Sequence, residues 1–364
     1  MGKNIDRRAF LKDSALALGA ISLSGLGSVG CAPSKKLAQD AGIQIPETLR
    51  FNPEGKFKIV QFTDIHSQLD HNQNKHAYDI MNTLIELEKP DLVMYTGDYG
   101  SAEDICERLV GFASSRGIPC AVVFGNHEPE DPAEREAMLN RFADLPGCLN
   151  VHKDAETKLL TGATNQIIPI YSSSDPDKKS AILYLLDSLS DHHLPGYKLK
   201  NDWIKPDQIE WYKRHSRELT AEHGGVPYPS LAFFHIPLPE WGETWANTPY
   251  PRMGWRMEPE GCPPINSGLF QAFVECGDVM GAFCGHEHDN DYVVYRDGIA
   301  LGYGRFSGGL GCYHGLCRGC RVIELTEGSR VFDTWTRMET SRMLYFITVP
   351  YSFTSDDPKY KPRP

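Results

Sequence analysis

From Phe57 onward, short apolar runs alternate with longer stretches in which apolar residues recur every three or four positions. Phe57 to Phe62, Leu92 to Thr96 and Cys120 to Phe124 are β-prone runs. Between the first two, Ala77, Ile80, Met81, Leu84 and Leu87 fall at helical spacing, and between the second and third so do Ile105, Leu109 and Phe112. Asp131-Pro132 offers a capping carboxylate followed by proline at the first helical position, and predicts a helix through Met138, Leu139 and Phe142. Strand, helix, strand in short units predicts an α/β fold with a mostly parallel sheet under helices, its ligands gathered at the carboxyl ends of the strands.

The alternation loosens between about Asn150 and Tyr228. There Ile167 to Tyr171 and Ala181 to Leu186 read as strands, and Pro206 to Glu222 as a helix stopped by Gly224. It resumes with Leu231 to His235, a helix around Leu269, Phe270, Phe273 and Val274, and the strand Val279 to Cys284. Tyr292 to Tyr295 and Ile299 to Tyr303 flank Asp297-Gly298 as a hairpin, and Val322 to Leu325 with Val331 to Met338 close an antiparallel part. The resulting division is a targeting segment over 1–31, a linker over 32–55, one domain over 56–340 and a tail over 341–364. Pro350, Pro358, Pro362 and Pro364 predict that the tail is a loosely held arm.

Composition narrows the function classes. The 364 residues, 41% hydrophobic, are enough for one large domain or two small ones. The formal net charge is -11, and residues 1–30 contribute two positive charges to it, so the remainder stands at -13. So acidic a surface disfavours non-specific binding to nucleic acid or anionic lipid, and no nucleic-acid partner is expected. A positive focus for an anionic substrate would have to come from bound metal ions.

Arg7-Arg8-Ala9-Phe10-Leu11-Lys12, followed by a weakly apolar run rich in Gly and Ser as far as Gly30, has the form of a twin-arginine signal rather than a membrane span. Gly30-Cys31 resembles a bacterial lipoprotein cleavage site, with Ser28 where such sites prefer leucine. The expectation is export to the periplasm or cell surface, with Cys31 as a candidate lipid anchor. Cys312, Cys317 and Cys320 lack a fourth cysteine, with His314 the sole nearby alternative, and read as a packed or disulfide-linked loop. The adjacent His192 and His193 read as loop histidines, since neighbours in extended chain point apart.

The candidate chemistry lies where the apolar runs stop. Asp64-Ile65-His66, Gly97-Asp98, Gly125-Asn126-His127-Glu128, His235 and Gly285-His286-Glu287-His288 each follow a β-prone run. Five strand ends therefore supply seven potential metal ligands: Asp64, His66, Asp98, Asn126, His235, His286 and His288. Oxygen and imidazole donors without cysteine suit ions such as Fe, Mn and Zn.

Those five segments, in that order, resemble the calcineurin-like metallophosphoesterase superfamily over roughly residues 56–327. Gly196-Tyr197, Trp203-Ile204-Lys205-Pro206-Asp207-Gln208, His235-Ile236-Pro237-Leu238-Pro239-Glu240 and Asn266-Ser267-Gly268 are similar to a branch of purple acid phosphatase relatives whose first motif keeps Asp-x-His. The resemblance implies a four-layer α-β-β-α sandwich with two mixed sheets and a dinuclear centre. Carried over, Asp64, His66 and His288 would hold one ion, Asn126, His235 and His286 the other, and Asp98 would bridge them. The purple enzymes have a tyrosine three residues after the bridging Asp. Here that position is Ser101, Tyr99 is at the wrong spacing, and His66 would take the tyrosine's place.

By the same resemblance the chain would hydrolyse phosphate esters, foremost monoesters of small phosphorylated substrates, through attack by a metal-activated hydroxide. Asn126 and His127 would face the substrate, with His127 donating a proton to the leaving group or, in the plainer alternative, only orienting Asn126. Arg305, beside a Gly-rich loop, is a further candidate phosphate contact. A phosphodiesterase for nucleotide or lipid head-group esters and a non-catalytic scaffold are the competing expectations.

Overall fold

The computed structural model describes residues 44–67, 71–100, 102–191, 201–247, 249–309 and 315–360. The twin-arginine segment, Cys31, Ser101, His192, His193, Gly196-Tyr197, Cys312 and His314 lie outside the described residues. In chain order the first part contains β1 (Leu49–Arg50), β2 (Lys56–Phe62), α1 (His71–Glu88), β3 (Leu92–Tyr95), α2 (Ile105–Ser114), β4 (Cys120–Val122) and α3 (Pro132–Ala143). The middle adds β5 (Gln166–Tyr171), β6 (Lys179–Leu185), α4 (Pro206–Glu222), β7 (Ser230–Phe233), α5 (Pro239–Ala246), β8 (Arg252–Arg256) and α6 (Leu269–Cys276). The last part is β9 (Val279–Cys284), β10 (Asn290–Arg296), β11 (Ile299–Tyr303), β12 (Gly319–Thr326), β13 (Phe332–Met338), β14 (Met343–Val349) and α7 (Tyr351–Thr354).

The strands form two mixed sheets, one of six in the order β14-β13-β12-β2-β3-β4 and one of eight in the order β1-β5-β6-β7-β9-β11-β10-β8. Alternation along each strand divides its side chains between two buried layers. Ile59, Leu92, Met94, Ala121 and Val123 of the first sheet meet Leu183, Leu231, Phe233 and Phe283 of the second in a core between the sheets. On the outer side of the six-stranded sheet, Val60, Phe62, Val93, Tyr95 and Val122 pack against Met81, Leu84, Leu109, Leu139 and Phe142 from α1, α2 and α3. The outer side of the eight-stranded sheet does the same with α4, α5 and α6 through Tyr212, Trp241, Phe270 and Phe273. The result is the expected α-β-β-α sandwich of four layers.

Local chemistry sets several element ends. Asp131 caps α3, its Oδ1 accepting from the N–H groups of Ala133 at 2.9 Å and Glu134 at 3.1 Å, with Pro132 at the first helical position. Asp297 and Gly298 both lie in the left-handed region, at φ 51° and 88°, which is the geometry a two-residue hairpin between β10 and β11 requires.

Four features differ from the sequence expectation. The tail is no loose arm: β14 pairs antiparallel with β13, from Phe332 opposite Val349 to Arg337 opposite Met343, and buries Ile347 and Val349 between the sheets. The proline content there marks the end of the strand at Pro350, not an absence of structure. The stretch assigned as a linker contributes β1, which pairs in parallel with β5 and buries Leu49 and Phe51. Helix α5 and edge strand β8 were not expected at all. Leu87 is 46% exposed, and the last turn of α1 instead buries Glu88, whose carboxylate accepts from Trp335 Nε1 at 3.1 Å and pairs with Arg337. Among the described residues Cys317 and Cys320 are free thiols, Cys320 being buried in β12. No helix of the described residues is long and apolar enough to cross a membrane.

Candidate metal centre

The predicted ligands sit directly beyond strand ends. Asp64 and His66 follow β2, Asp98 follows β3 and Asn126 follows β4, all in the six-stranded sheet, whereas His235 follows β7 and His286 and His288 follow β9 in the eight-stranded one. They converge as two groups, Asp64 with His66 and His288, and Asp98 with His235 and His286. Within each group the potential ligand atoms lie within 4.8 Å of one another, and each group draws on both sheets.

The loops that carry these side chains are strained. Asp64, His66, Asp98 and His286 adopt φ of 55°, 44°, 56° and 81°, in the left-handed region that costs a non-glycine residue ~1–3 kcal/mol. Cross-loop hydrogen bonds hold them there: Asp64 N–H donates to Gly97 O at 3.1 Å, His66 N–H to Asp98 O at 2.9 Å and His286 N–H to Asp64 Oδ1 at 3.1 Å. Gly97 is required by the same crowding, since a Cβ there would lie 2.5 Å from His235 Nδ1 and 2.7 Å from Gly125 N.

The donor atoms face one another across the seam. His66 Nε2 and His288 Nε2 are 3.1 Å apart, and His288 Nε2 is 3.7 Å from Asp64 Oδ1. Asn126 Oδ1 lies 3.2 Å from His235 Nε2 and 2.9 Å from His286 Nδ1, which brings the amide into the second group. Asp98 Oδ2 is 3.3 Å from His235 Nε2 and 3.6 Å from His66 Nε2, so one oxygen reaches both groups. Imidazole nitrogens and carboxylate oxygens brought this close, with Asp64 and His235 fully buried, are a donor set that fits two divalent or trivalent ions.

Charge among these side chains settles on one pair. Burial works against a charged His235, but Asp98 beside it, helped by Asp64, outweighs burial and lifts its pKa to about 10. Burial likewise opposes ionisation of Asp98, and His235 and His66 overcome it, holding the carboxyl below the ordinary range. Burial pushes His66 down to about 4 despite Asp98 and Asp64, and His286 down to about 3 with the His235 charge nearby. His66 and His286 are therefore neutral near pH 7, the form in which an imidazole nitrogen can coordinate a metal.

Three supporting residues were not assigned a role from the sequence. Buried Glu128 accepts from the N–H groups of Asp98 at 3.0 Å, Tyr99 at 2.8 Å and Gly125 at 2.5 Å, tying the β3 loop to the β4 loop. Its place in Gly-Asn-His-Glu was the available signal. Asn201 Nδ2 contacts His286 Nε2 at 3.0 Å, and Thr96 O faces His235 Nδ1 at 2.7 Å. Nothing in the local sequence marks these two, because both contacts span more than eighty residues.

His127 is placed apart from the ligands. Its N–H donates to Asp98 Oδ1 at 3.0 Å, its Nε2 lies 3.9 Å from Asp98 Oδ2, and its side chain is 63% exposed. Tyr99 points away from the centre into the core, its hydroxyl donating to Val123 O at 2.5 Å. Arg305 corrects the sequence reading. It is buried, with Nη1 on Asp291 Oδ2 at 2.9 Å and Nε on Cys317 O at 2.6 Å, and so holds strands and loop together rather than facing a phosphate.

With this arrangement the family is defined. The chain belongs to the calcineurin-like phosphoesterase family, whose sequence model matches residues 57–290. It is similar to the protein described as probable inactive purple acid phosphatase 14 of Arabidopsis thaliana, 33% identical over 329 residues that cover 80% of each chain. Phosphatase DCR2 of Saccharomyces cerevisiae is 30% identical over 339 residues, which are 83% of this chain and 56% of that one. Among solved structures, a dimetal phosphatase from Danio rerio superposes with a TM-score of 0.52 over 81% of this chain and 99% of its own, at 12% identity, a likeness of fold.

Proposed function

We propose that this chain hydrolyses phosphate monoesters at a two-metal centre. The observation that carries the reading is the shared oxygen of Asp98, within 3.6 Å of a histidine in each donor group, with His127 on its exposed side. Asp64, His66 and His288 would hold one ion and Asn126, His235 and His286 the other, with Asp98 common to both. Fe, Mn and Zn suit these donors. Such ions, when bound, neutralise phosphoryl charge and make hydroxide available from water near neutral pH. His127 supplies what the buried residues cannot: an imidazole anchored through its backbone to Asp98 yet open to solvent, able to give a proton to a departing alcohol. The description of the plant relative carries the word inactive; here the full donor set together with His127 supports turnover.

The test is metal analysis of the purified protein together with kcat/KM for p-nitrophenyl phosphate and its bis ester. About two ions per chain and a preference of about tenfold or more for the monoester are expected. A preference for the bis ester would move the protein to the phosphodiesterases, and no turnover by metal-loaded protein would leave a scaffold. The proposal extends to location, on the strength of Arg7-Arg8 and Gly30-Cys31: export by the twin-arginine route with a mature start near Cys31. Changing both arginines to lysine should retain the precursor inside the cell; normal export of that variant ends the idea.

A further inference from the structure

His127 borders more than the metal centre. It also lines a cavity of about 480 Å³ set between the start of α2 and one side of α3. Ile105, Ala137 and Met138 give that cavity an apolar wall. Its charged groups are unequally available, and Glu128 is buried with its carboxylate on the N–H groups of Asp98, Tyr99 and Gly125. Glu103 and Glu134 are exposed. The Arg141 guanidinium is gripped by Glu107, with Nε on Oε1 at 2.8 Å and Nη2 on Oε2 at 2.6 Å.

We propose that this cavity is the leaving-group subsite and that it selects esters of uncharged, largely apolar alcohols over esters whose leaving group is anionic. The inference rests on the phosphomonoesterase reading. In the hydrolysis the ester P–O bond breaks, water provides the oxygen of the new P–O bond, a proton from His127 completes the departing alcohol, and the proton given up by water restores His127. His127 is both the proposed proton donor and part of the cavity wall, so an alcohol that takes its proton from His127 has the cavity as its neighbour. An apolar skeleton there leaves water for Ile105, Ala137 and Met138. A nucleotide leaving group would bring negative charge against Glu103 and Glu134 with Arg141 already engaged.

Phenylpropyl phosphate and ethyl phosphate have leaving oxygens of similar basicity, so their kcat/KM ratio reads the contacts rather than the chemistry. The metal-loaded wild type should favour the phenylpropyl ester by about tenfold or more, and 3-carboxypropyl phosphate, whose leaving oxygen is equally basic but whose alcohol carries a carboxylate, should be the poorest of the three. Met138→Trp fills the cavity and should bring the ratio to about one, whereas Leu159→Trp, at a position 84% exposed and outside the cavity, should leave it unchanged. Glu134→Lys, on the exposed rim, should raise 3-carboxypropyl phosphate turnover several-fold relative to the phenylpropyl ester, and it serves if Met138→Trp does not fold. Unchanged ratios in both variants, or a wild-type preference for 3-carboxypropyl phosphate, overturn the subsite. If no ester is turned over, the phosphatase reading has failed separately. The cavity is then read by binding of phenylpropanol to the metal-loaded protein, where binding weakened by Met138→Trp supports it and no binding overturns it.

Discussion

Asp98 and His127 are joined at both ends of one carboxylate: Oδ1 accepts the His127 backbone N–H at 3.0 Å while Oδ2 lies 3.9 Å from His127 Nε2 and 3.3 Å from His235 Nε2. The carboxylate thus serves the donor groups with one oxygen and positions the exposed histidine with the other. Asp98→Asn keeps an oxygen for one of these duties only. Elemental analysis should show metal falling from both sites together in Asp98→Asn, whereas His235→Ala should chiefly empty one. Equal, full occupancy in wild type and Asp98→Asn would sink the shared-ligand assignment.

His127 is expected to matter for rate and not for metal content, because its ring is exposed and belongs to neither donor group. His127→Ala should keep its ions and lose ~10²–10⁴ in kcat on alkyl phosphates, the usual cost of a missing proton donor. Nitrophenyl phosphate, whose leaving group needs little protonation, should lose much less. An equal loss on both esters, or a loss of metal, assigns His127 to positioning.

Glu128 gathers three backbone N–H groups that have no water to turn to, since the carboxylate and its partners are buried. Glu128→Ala should destabilise the chain by about 3 kcal/mol or more, read from urea midpoints, and weaken metal binding by loosening the β3 and β4 loops. Glu128→Gln keeps one acceptor and should recover part of both. A change of less than about 1 kcal/mol in the alanine variant contradicts the structural role.

Arg305→Met separates a structural role for this arginine from a phosphate contact. Asp291 would keep Arg321, whose Nη2 lies 2.6 Å from Oδ1, but lose the Arg305 contact on Oδ2. Stability should fall by about 2–4 kcal/mol while KM for a phosphate ester changes less than about twofold. A large rise in KM at unchanged stability would restore the phosphate-contact reading.

The buried pair of Arg135 and Asp187 gives a pH dependence of known sign. Burial alone would raise Asp187, but Arg135, at 2.7 Å from its Oδ1, and the N–H groups of Ala163 and Leu189 hold its pKa below the ordinary value. A carboxyl harder to protonate when folded contributes stability that is present above its unfolded pKa of about 3.9 and is lost as pH falls through the folded one. Arg135→Met should therefore cost ~3–5 kcal/mol at pH 7, and its deficit against wild type should shrink below about pH 4. Urea midpoints across that range check this; a deficit independent of pH would mean that the pair is not held by charge.

The residues that converge could be picked out because each apolar run stops abruptly at a glycine, aspartate or histidine, and strand ends in such a sheet converge. What escaped reading were features decided at long range. Arg305 looks like a loop arginine until β10 delivers Asp291 to it, and only the register of β10 against β11 makes that meeting visible. Strand β14 was hidden by prolines on its far side, although Ile347 and Val349 keep the alternation of a buried strand. β1 has two residues, and β8 is an edge strand with Arg252, Trp255 and Arg256 outward, so neither leaves a hydrophobic period to detect.

Because each donor group takes members from both sheets, a metal bound there would act as a clasp across the sandwich. No subset of the chain before β9 contains either group complete, since His286 and His288 arrive last. Prising the two sheets apart would then also undo the clasp, and an ion held there would resist mechanical and thermal opening by its own binding free energy. Release of metal into a chelating dye during unfolding would then time the separation of the two halves, giving this chain a built-in clock for its own disassembly.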